Sequence, residues 1–297
     1  PPPAPALDSA FEMARHRILL GNALAYGRLD PETLEQLPEY RRLADVARIL
    51  RTFRVDGIDL VRIGGDADGA YVMLDSLRPP QVSAGYSFGV GNEVSWDVSV
   101  GERGIDLILY DHTVSGLPRP VPRARFVKAG VCGARREEDC RTVAEVIEGN
   151  GHSGRSDLVL KMDVENAEWA VLDEISSETL GQFAQIAIEF HRLQRAVLLD
   201  GHAEVMRALE KLARTHVPIH VHGNNAHVPI WMGDLVIPDV IEVTYVRRSD
   251  YEGRFIPRDD AFPTDLDRPN LTFRPDLFLG WTFTGGRRDP ATPSPRT

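Results

Sequence analysis

Two short stretches carry the strongest signal for the fold: YSFGVGN at residues 86–92 and DLILYD at residues 106–111. The first is an apolar strand that breaks into a Gly-x-Gly turn, and the second is an apolar strand that ends in a carboxylate. Gly89 and Gly91 let the backbone approach a ligand closely, and Asp111 stands 20 residues after Gly91, where an acid can accept hydrogen bonds from ribose hydroxyls. The two stretches therefore predict the front half of a nucleotide-binding βαβ unit.

The composition indicates which kinds of partner the protein binds. The chain has 297 residues, of which 42% are apolar and 26% charged, as in soluble globular proteins. Its 44 acidic residues outnumber its 34 basic ones, which gives a net charge of −10. Broad nucleic-acid surfaces rely on Lys and Arg, so we expect no nucleic-acid partner and favour a small-molecule substrate. No apolar run reaches the roughly 20 residues that span a bilayer, so we expect no membrane segment in the given chain.

The two cysteines, Cys132 and Cys140, bear on the compartment. They are too few for a disulfide framework and lack the spacing of a zinc site. The sequence therefore favours a reducing compartment, and we predict a cytoplasmic protein. Because the first methionine is Met13, an upstream targeting segment that was removed stays an open alternative.

Apolar runs alternate with helix-like segments along most of the chain. Seven runs read as sheet strands: 86–88, 106–111, 126–131, 157–165, 185–191, 218–225 and 240–246. The pattern predicts an α/β fold, a Rossmann-like, doubly wound and mostly parallel seven-stranded sheet with helices on both faces. We expect a helical cover at residues 1–58, with helices from Leu7 and from Pro38, and one domain at 59–250. A C-terminal extension follows at 251–297, and its last part, 287–297, is expected to be disordered.

Smaller elements are predicted with the same patterns. Residues 59–63 and 71–74 form a hairpin around the Gly/Asp-rich loop 64–70, which serves either as a plain turn or as part of the ligand site. A helix is predicted at 137–148 with Cys140 facing inward.

Polar residues recur where the predicted strands end. In an open parallel sheet, ligands bind outside the carboxyl ends of the strands, and carboxylates beside buried strands are costly unless they are paired or functional. The residues placed there are Gly89, Gly91, Asn92, Asp111, His112, Thr113, Asp163, Glu165, Glu189, His191, His222, Asn224 and Asn225.

The turn favours a cofactor without phosphates. It lacks the third glycine of dinucleotide-binding folds, and Glu93 at the start of the next helix would repel a pyrophosphate. These features weigh against a nicotinamide cofactor and favour S-adenosylmethionine (SAM).

Four stretches carry a family resemblance: SFGVGN at 87–92, YDHT at 110–113, KMDVENAEW at 161–169 and EFH at 189–191. They resemble the FkbM-type and methyltransferase-like families of SAM-dependent methyltransferases, and the likeness covers about residues 60–246. Two positions depart from the family pattern, since Asn166 and Ala70 stand where glycine is usual. The resemblance implies a class I methyltransferase domain that acts on hydroxyls of sugars or polyketide-type molecules. The cofactor residues expected on this basis are Ser87, Phe88, Gly89, Gly91, Asn92, Asp111, His112 and Asp163.

Methyl transfer to oxygen needs a hydroxyl proton to be removed. Either His191 or His222 is the base, oriented by Asp163 or Glu165, or Asp163 and Glu189 hold a divalent ion such as Mg²⁺ that lowers the hydroxyl pKa. On the family resemblance, we predict O-methylation of a sugar or another polyhydroxylated small molecule. A non-catalytic module that binds SAM, S-adenosylhomocysteine or a partner, and an NAD(P)-dependent oxidoreductase, are the alternatives. A homo-oligomer is compatible with the sequence.

Overall fold

The computed structural model describes residues 31–134 and 139–285. The predicted helix from Leu7 and the predicted disordered end at 287–297 lie outside these residues. The helices are α1 (Pro31–Gln36), α2 (Pro38–Ile49), α3 (Ser95–Glu102), α4 (Val143–Gly149), α5 (Glu168–Glu174), α6 (Ser177–Leu180) and α7 (Leu199–Thr215). The strands are β1 (Phe53–Val55), β2 (Leu60–Ile63), β3 (Tyr71–Leu74), β4 (Ala84–Phe88), β5 (Asp106–Tyr110), β6 (Ala124–Val127), β7 (Gly130–Val131), β8 (Cys140–Arg141), β9 (Leu158–Met162), β10 (Phe183–Phe190), β11 (His216–Gly223), β12 (Ile230–Met232), β13 (Leu235–Ile237), β14 (Ile241–Arg247) and β15 (Phe255–Pro257).

The central sheet has seven strands in the order β11-β14-β10-β9-β4-β5-β6. β4, β5, β6, β9 and β10 pair in parallel, and β14 runs antiparallel to both of its neighbours. The predicted Rossmann-like, doubly wound and mostly parallel seven-stranded sheet is therefore confirmed. The chain changes direction across the sheet between β4 and β9, which opens a crevice at the carboxyl ends of these two strands.

The sheet is buried on both faces because its strands are apolar at successive positions. In β9, Leu158, Leu160 and Met162 join the larger apolar cluster, and Val159 joins the cluster on the opposite face. All eight residues of β10 are buried. Each Å² of apolar surface that is removed from water stabilises the fold by about 25 cal/mol, so these two apolar layers are the main source of stability.

The N-terminal cover and the C-terminal extension contact each other as well as the central domain. The helix predicted near Pro38 is confirmed as α2, which packs against α7. β1, at the end of the predicted N-terminal cover, pairs with β15 of the C-terminal extension, so these two segments contact each other. The predicted hairpin is confirmed as β2 and β3.

One predicted helix is placed wrongly in its first part. Cys140 lies in β8, and α4 begins only after Thr142, whose side chain forms a capping box with Glu145. Cys140 forms a disulfide with Cys132, so the two cysteines are paired, contrary to the expectation drawn from their number. Among the residues that the structure describes, no helix has both the length and the apolar character needed to cross a bilayer.

Candidate functional site

The glycine turn after β4 is closely packed at Gly89 and has free space around Gly91. Gly89 has φ of 76°, and a Cβ there would lie 1.5 Å from the carbonyl oxygen of Asp163. Lys161 donates a hydrogen bond of 2.7 Å to the Gly89 carbonyl. Gly91 also has a positive φ, of 52°, but nothing lies within 4 Å of a Cβ built on it. The backbone of the turn is therefore fixed at Gly89 and accessible to a ligand at Gly91.

Asp111 closes this turn. One carboxylate oxygen accepts hydrogen bonds from the backbone N–H groups of Val90 and Gly91 at 2.8 and 2.9 Å, and the other accepts two from Thr113 at 2.6 Å. Burial raises the pKa of Asp111, but these hydrogen bonds outweigh it and lower the pKa to about 2. Since a carboxylate has about four acceptor sites, a ribose hydroxyl must replace one of these partners. The contact between Asp111 and ribose stays a prediction.

The other residues predicted to bind the cofactor differ in exposure. The side chains of Ser87 and Phe88 are fully buried in the sheet, so only their backbone can face the crevice. Asn92 and His112 are exposed. A carboxylate oxygen of Glu93 accepts a hydrogen bond of 2.5 Å from Ser95 N, at the start of α3. The N-terminus of this helix therefore already carries an anionic partner, which disfavours a pyrophosphate there.

Three ionisable side chains, Glu189, Glu242 and His222, stand opposite one another on three neighbouring strands; we call them the carboxylate row. Glu189 of β10 is the register partner of Glu242 of β14, and Glu242 is the register partner of His222 of β11. Glu189 is 6% exposed, and Asn224 donates a hydrogen bond of 3.0 Å to it. Burial and the charges of Asp163 and Glu242 raise the pKa of Glu189 well above its ordinary value. Like charges directly opposite on neighbouring strands are destabilising, so this arrangement requires either a proton on Glu189 or a compensating cation.

His191 lies beside this row, at the end of β10. Ligand atoms of Asp163, Glu189 and His191 all lie within 4.8 Å of one another. Burial lowers the pKa of His191, but a hydrogen bond to Glu168 and the negative charges of Glu189, Glu168 and Asp163 raise it to about 9. Nε2 of His191 is 3.4 Å from a carboxylate oxygen of Glu165, whose side chain is 86% exposed. Four of the predicted site residues, Asp163, Glu165, Glu189 and His191, are therefore brought together.

The first turn of α5 holds His191 in place. Glu168, which is fully buried, accepts a hydrogen bond of 2.6 Å from the backbone N–H of His191, and the same oxygen lies 3.3 Å from Nδ1 of its ring. The indole N–H of Trp169 donates to the backbone carbonyl of His191 at 2.8 Å. Neighbouring positions on one helix thus fix the backbone of His191, and the carboxylate of Glu168 also lies beside its ring.

His222 does not have the geometry of a general base. Its Nδ1 lies 3.3 Å from Glu242, and its Nε2 lies 3.0 Å from Asp276. Burial lowers the pKa of His222, but the charge of Glu242 and these two partners raise it well above its ordinary value. Because both ring nitrogens face carboxylates, neither is free to accept a proton from a substrate. The predicted base role of His222 therefore does not fit the structure, in which it binds the C-terminal extension.

The loop 64–70 and the C-terminal extension both reach the site. The backbone N–H of Gly65 donates to Ser95 Oγ at 3.0 Å, which places the loop beside the glycine turn. Asp68 of this loop has a carboxylate oxygen within 4.8 Å of ligand atoms of Glu189 and Glu242. The side-chain amide of Asn270 donates to Asp68 at 2.7 Å and to Glu242 at 2.8 Å. Of the two sequence-based alternatives for the loop, the structure favours the one at the site.

Three site residues were not assigned a role from the sequence: Glu168, Glu242 and Asn270. Asp68 was considered only as part of the loop 64–70. Glu168 stands in the stretch that carries the family resemblance, three residues after Glu165. Glu242 interrupts the apolar run of β14, which is buried from Ile241 to Val246, and an acid in such a strand is a usable signal. Asn270 gave no signal, because its segment has no periodic pattern.

Comparison with known proteins adds little to these observations. No protein-family model matches the sequence, and no curated protein matches it either. Among solved structures, a TehB-like SAM-dependent methyltransferase from Corynebacterium glutamicum is similar over 58% of this chain and 84% of its own length, with 12% identity and a TM-score of 0.30. A likeness at that level carries no weight for function, so the assignment of the fold rests on the order and direction of the strands.

Proposed function

We propose that the protein is a SAM-dependent methyltransferase that transfers a methyl group to a hydroxyl of a sugar or another polyhydroxylated small molecule. The observation that carries the choice of cofactor is the start of α3, where Glu93 occupies the position that a pyrophosphate would need. An adenosine cofactor without phosphates has no such conflict. The accessible backbone at Gly91 gives that cofactor a surface next to the carboxyl end of β4.

The chemistry is supported by the groups beside the turn. Asp163 follows β9 directly and contacts Gly89 through its backbone, so a methyl donor over Gly91 would lie next to Asp163, Glu189 and His191. These residues can orient an acceptor hydroxyl and take up its proton, with His191 as base once it is neutral. A divalent ion on Asp163 and Glu189 would instead supply Lewis-acid polarisation of that hydroxyl.

SAM binding is tested by isothermal titration with the full chain and two matched glycine variants. Gly91 and Gly154 both have positive φ, and nothing lies within 4 Å of a Cβ on either. Gly154 lies in the loop before the amino end of β9, away from the crevice. We expect Gly91→Ala to weaken SAM binding at least tenfold and Gly154→Ala to leave it unchanged. Absence of SAM binding, or equal effects of the two variants, would contradict the cofactor assignment.

Turnover separates an enzyme from a binding module. Incubation with SAM and a panel of sugars and polyols should yield S-adenosylhomocysteine, and His191→Gln should abolish its formation. Binding of SAM without turnover on any acceptor would favour the non-catalytic alternative. Stabilisation by NADPH but not by SAM in a thermal-shift assay would favour the oxidoreductase instead.

A further inference from the structure

We infer that Asp163, Glu189 and His191 form a binding site for one divalent transition-metal ion such as Mn²⁺, in which His191 is a metal ligand. This inference deepens the proposed methyl transfer by choosing between its two versions. It concerns ion binding by this chain alone, so it is tested without SAM and without an acceptor.

The three side chains converge from the ends of two adjacent parallel strands. Asp163 follows β9, whereas Glu189 lies at the end of β10 and His191 just beyond it, and the two strands are in register from Leu160 to Met162. Each side chain offers a ligand atom, and these atoms lie within 4.8 Å of one another. Two ligand atoms that bind one ion at roughly 2.1 Å are at most about 4.2 Å apart, so the three side chains need to approach one another by no more than about 0.6 Å.

The local charge favours a cation. Glu189 and Glu242 are both 6% exposed and face each other across β10 and β14, with Asp163 nearby. The ammonium group of Lys161 is 3.9 Å from Asp163 but donates its hydrogen bond to the Gly89 carbonyl, and His222 is occupied by Glu242 and Asp276. Buried carboxylates are costly unless they are paired or coordinate a metal.

An independent observation comes from Glu168, which lies outside the cluster. Histidines that bind metals almost always place the other ring nitrogen on a carboxylate, a backbone carbonyl or water. Glu168 is fully buried and lies 3.3 Å from Nδ1 of His191. The second oxygen of Glu168 and Nδ1 of His191 both lack an aligned hydrogen-bond partner among the described residues, so Glu168 acts on the ring through the closeness of its carboxylate. This contact leaves Nε2 as the nitrogen for the ion.

The donor set indicates the kind of ion. Mg²⁺ and Ca²⁺ prefer oxygen ligands throughout, whereas imidazole suits first-row transition metals. Two carboxylates with one imidazole therefore favour Mn²⁺, Fe²⁺, Co²⁺ or Zn²⁺ over the Mg²⁺ expected from the sequence. Mn²⁺ is the probe of choice because the free ion is counted directly by electron paramagnetic resonance.

The experiment titrates the EDTA-treated full chain with Mn²⁺ and measures the free ion by this resonance. We expect one ion per chain, displaced by Co²⁺ or Zn²⁺ but not by equal Mg²⁺. Asp163→Asn and His191→Gln should each weaken binding at least tenfold, and Glu168→Gln should weaken it less, through His191. The control is Asp173→Asn on α5, since the Asp173 side chain is 61% exposed. Circular dichroism checks that every variant is folded.

A second arm uses Asp68→Asn. Asp68 belongs to a neighbouring group that shares Glu189 with the inferred site, so Asp68→Asn should weaken Mn²⁺ binding much less than His191→Gln does. Loss of Mn²⁺ with Asp68→Asn but not with His191→Gln would overturn the inference, as would a folded wild-type chain that binds no Mn²⁺. SAM titrations on the same samples separate the two proposals, because a chain that binds Mn²⁺ but not SAM contradicts only the proposed function.

Discussion

The glycine turn and the carboxylate row lie at the same edge of the sheet but are stabilised in different ways. In the turn, Asp111 accepts four hydrogen bonds from residues within about one βαβ unit of it. In the row, Glu189, Glu242 and His222 come from three strands, and Asp68, Asn270 and Asp276 reach them from distant parts of the chain. The turn is complete by itself, whereas the row depends on how the whole chain folds and has an excess of negative charge.

This difference indicates a division of labour. A turn whose polar groups are satisfied locally presents a rigid backbone and needs only a ligand of the right shape. A row of buried acids is held at a cost in stability, and such costs are typical of sites where chemistry takes place. We therefore assign cofactor binding to the turn and proton or metal chemistry to the row.

The largest effect is expected from substitution at the turn. Gly89→Val would place a Cβ 1.5 Å from the Asp163 carbonyl oxygen, at a φ of 76°, and would force β4 and β9 apart. We expect a loss of about 4 kcal/mol or more in the free energy of unfolding, measured by urea denaturation. Gly91→Ala is the matched control, with an expected cost of about 1 kcal/mol from its positive φ alone. Similar losses for the two variants would show that close packing at Gly89 is unimportant.

A smaller effect, dependent on pH, is expected for Asp111. Its pKa is about 2 in the folded protein, against an ordinary value of 3.8, so the folded state favours the charged form. The resulting stabilisation is fully present above pH 3.8 and is lost as the pH falls toward 2, and it amounts to about 2 kcal/mol. Asp111→Asn lacks it, so the difference in unfolding free energy between wild type and variant should narrow between pH 5 and pH 2. A difference that does not change with pH would mean that the hydrogen bonds of Asp111 do not depend on its charge.

The turn could be predicted from the sequence because its signals are local. The glycines, the strand before them and the acid 20 residues later stand in one short stretch, and the structure places them together. The ends of β9 and β10 were also predictable, since apolar runs that end in acids mark them directly. Parallel strands then bring Asp163, Glu189 and His191 to one edge without further information.

The rest of the site depends on contacts that a local pattern does not encode. Glu242 reaches Glu189 only because β14 pairs with β10 in one register, and a shift by one residue would turn its side chain to the other face. Asn270 and Asp276 belong to an irregular segment whose position is set by hydrogen bonds to β11 and β14. The disulfide could not be predicted from the number of cysteines, because it depends on the short pairing of β7 with β8, which brings Cys140 close to Cys132.

The smallest expected effect tests how the row is held. Asn270 is 7% exposed and links Asp68 to Glu242 through two hydrogen bonds. Asn270→Ala removes both hydrogen bonds and leaves each of the two carboxylates with one donor fewer. We therefore expect the free energy of unfolding to fall by about 1 kcal/mol. Backbone amides of residues 264–279 should then exchange hydrogen faster, as measured by mass spectrometry, while those of the glycine turn stay unchanged. Thr272→Ala is the control, since Thr272 is exposed in the same segment. Faster exchange in the turn as well would mean that the two regions are coupled, and that the row supports the cofactor surface in addition to the chemistry beside it.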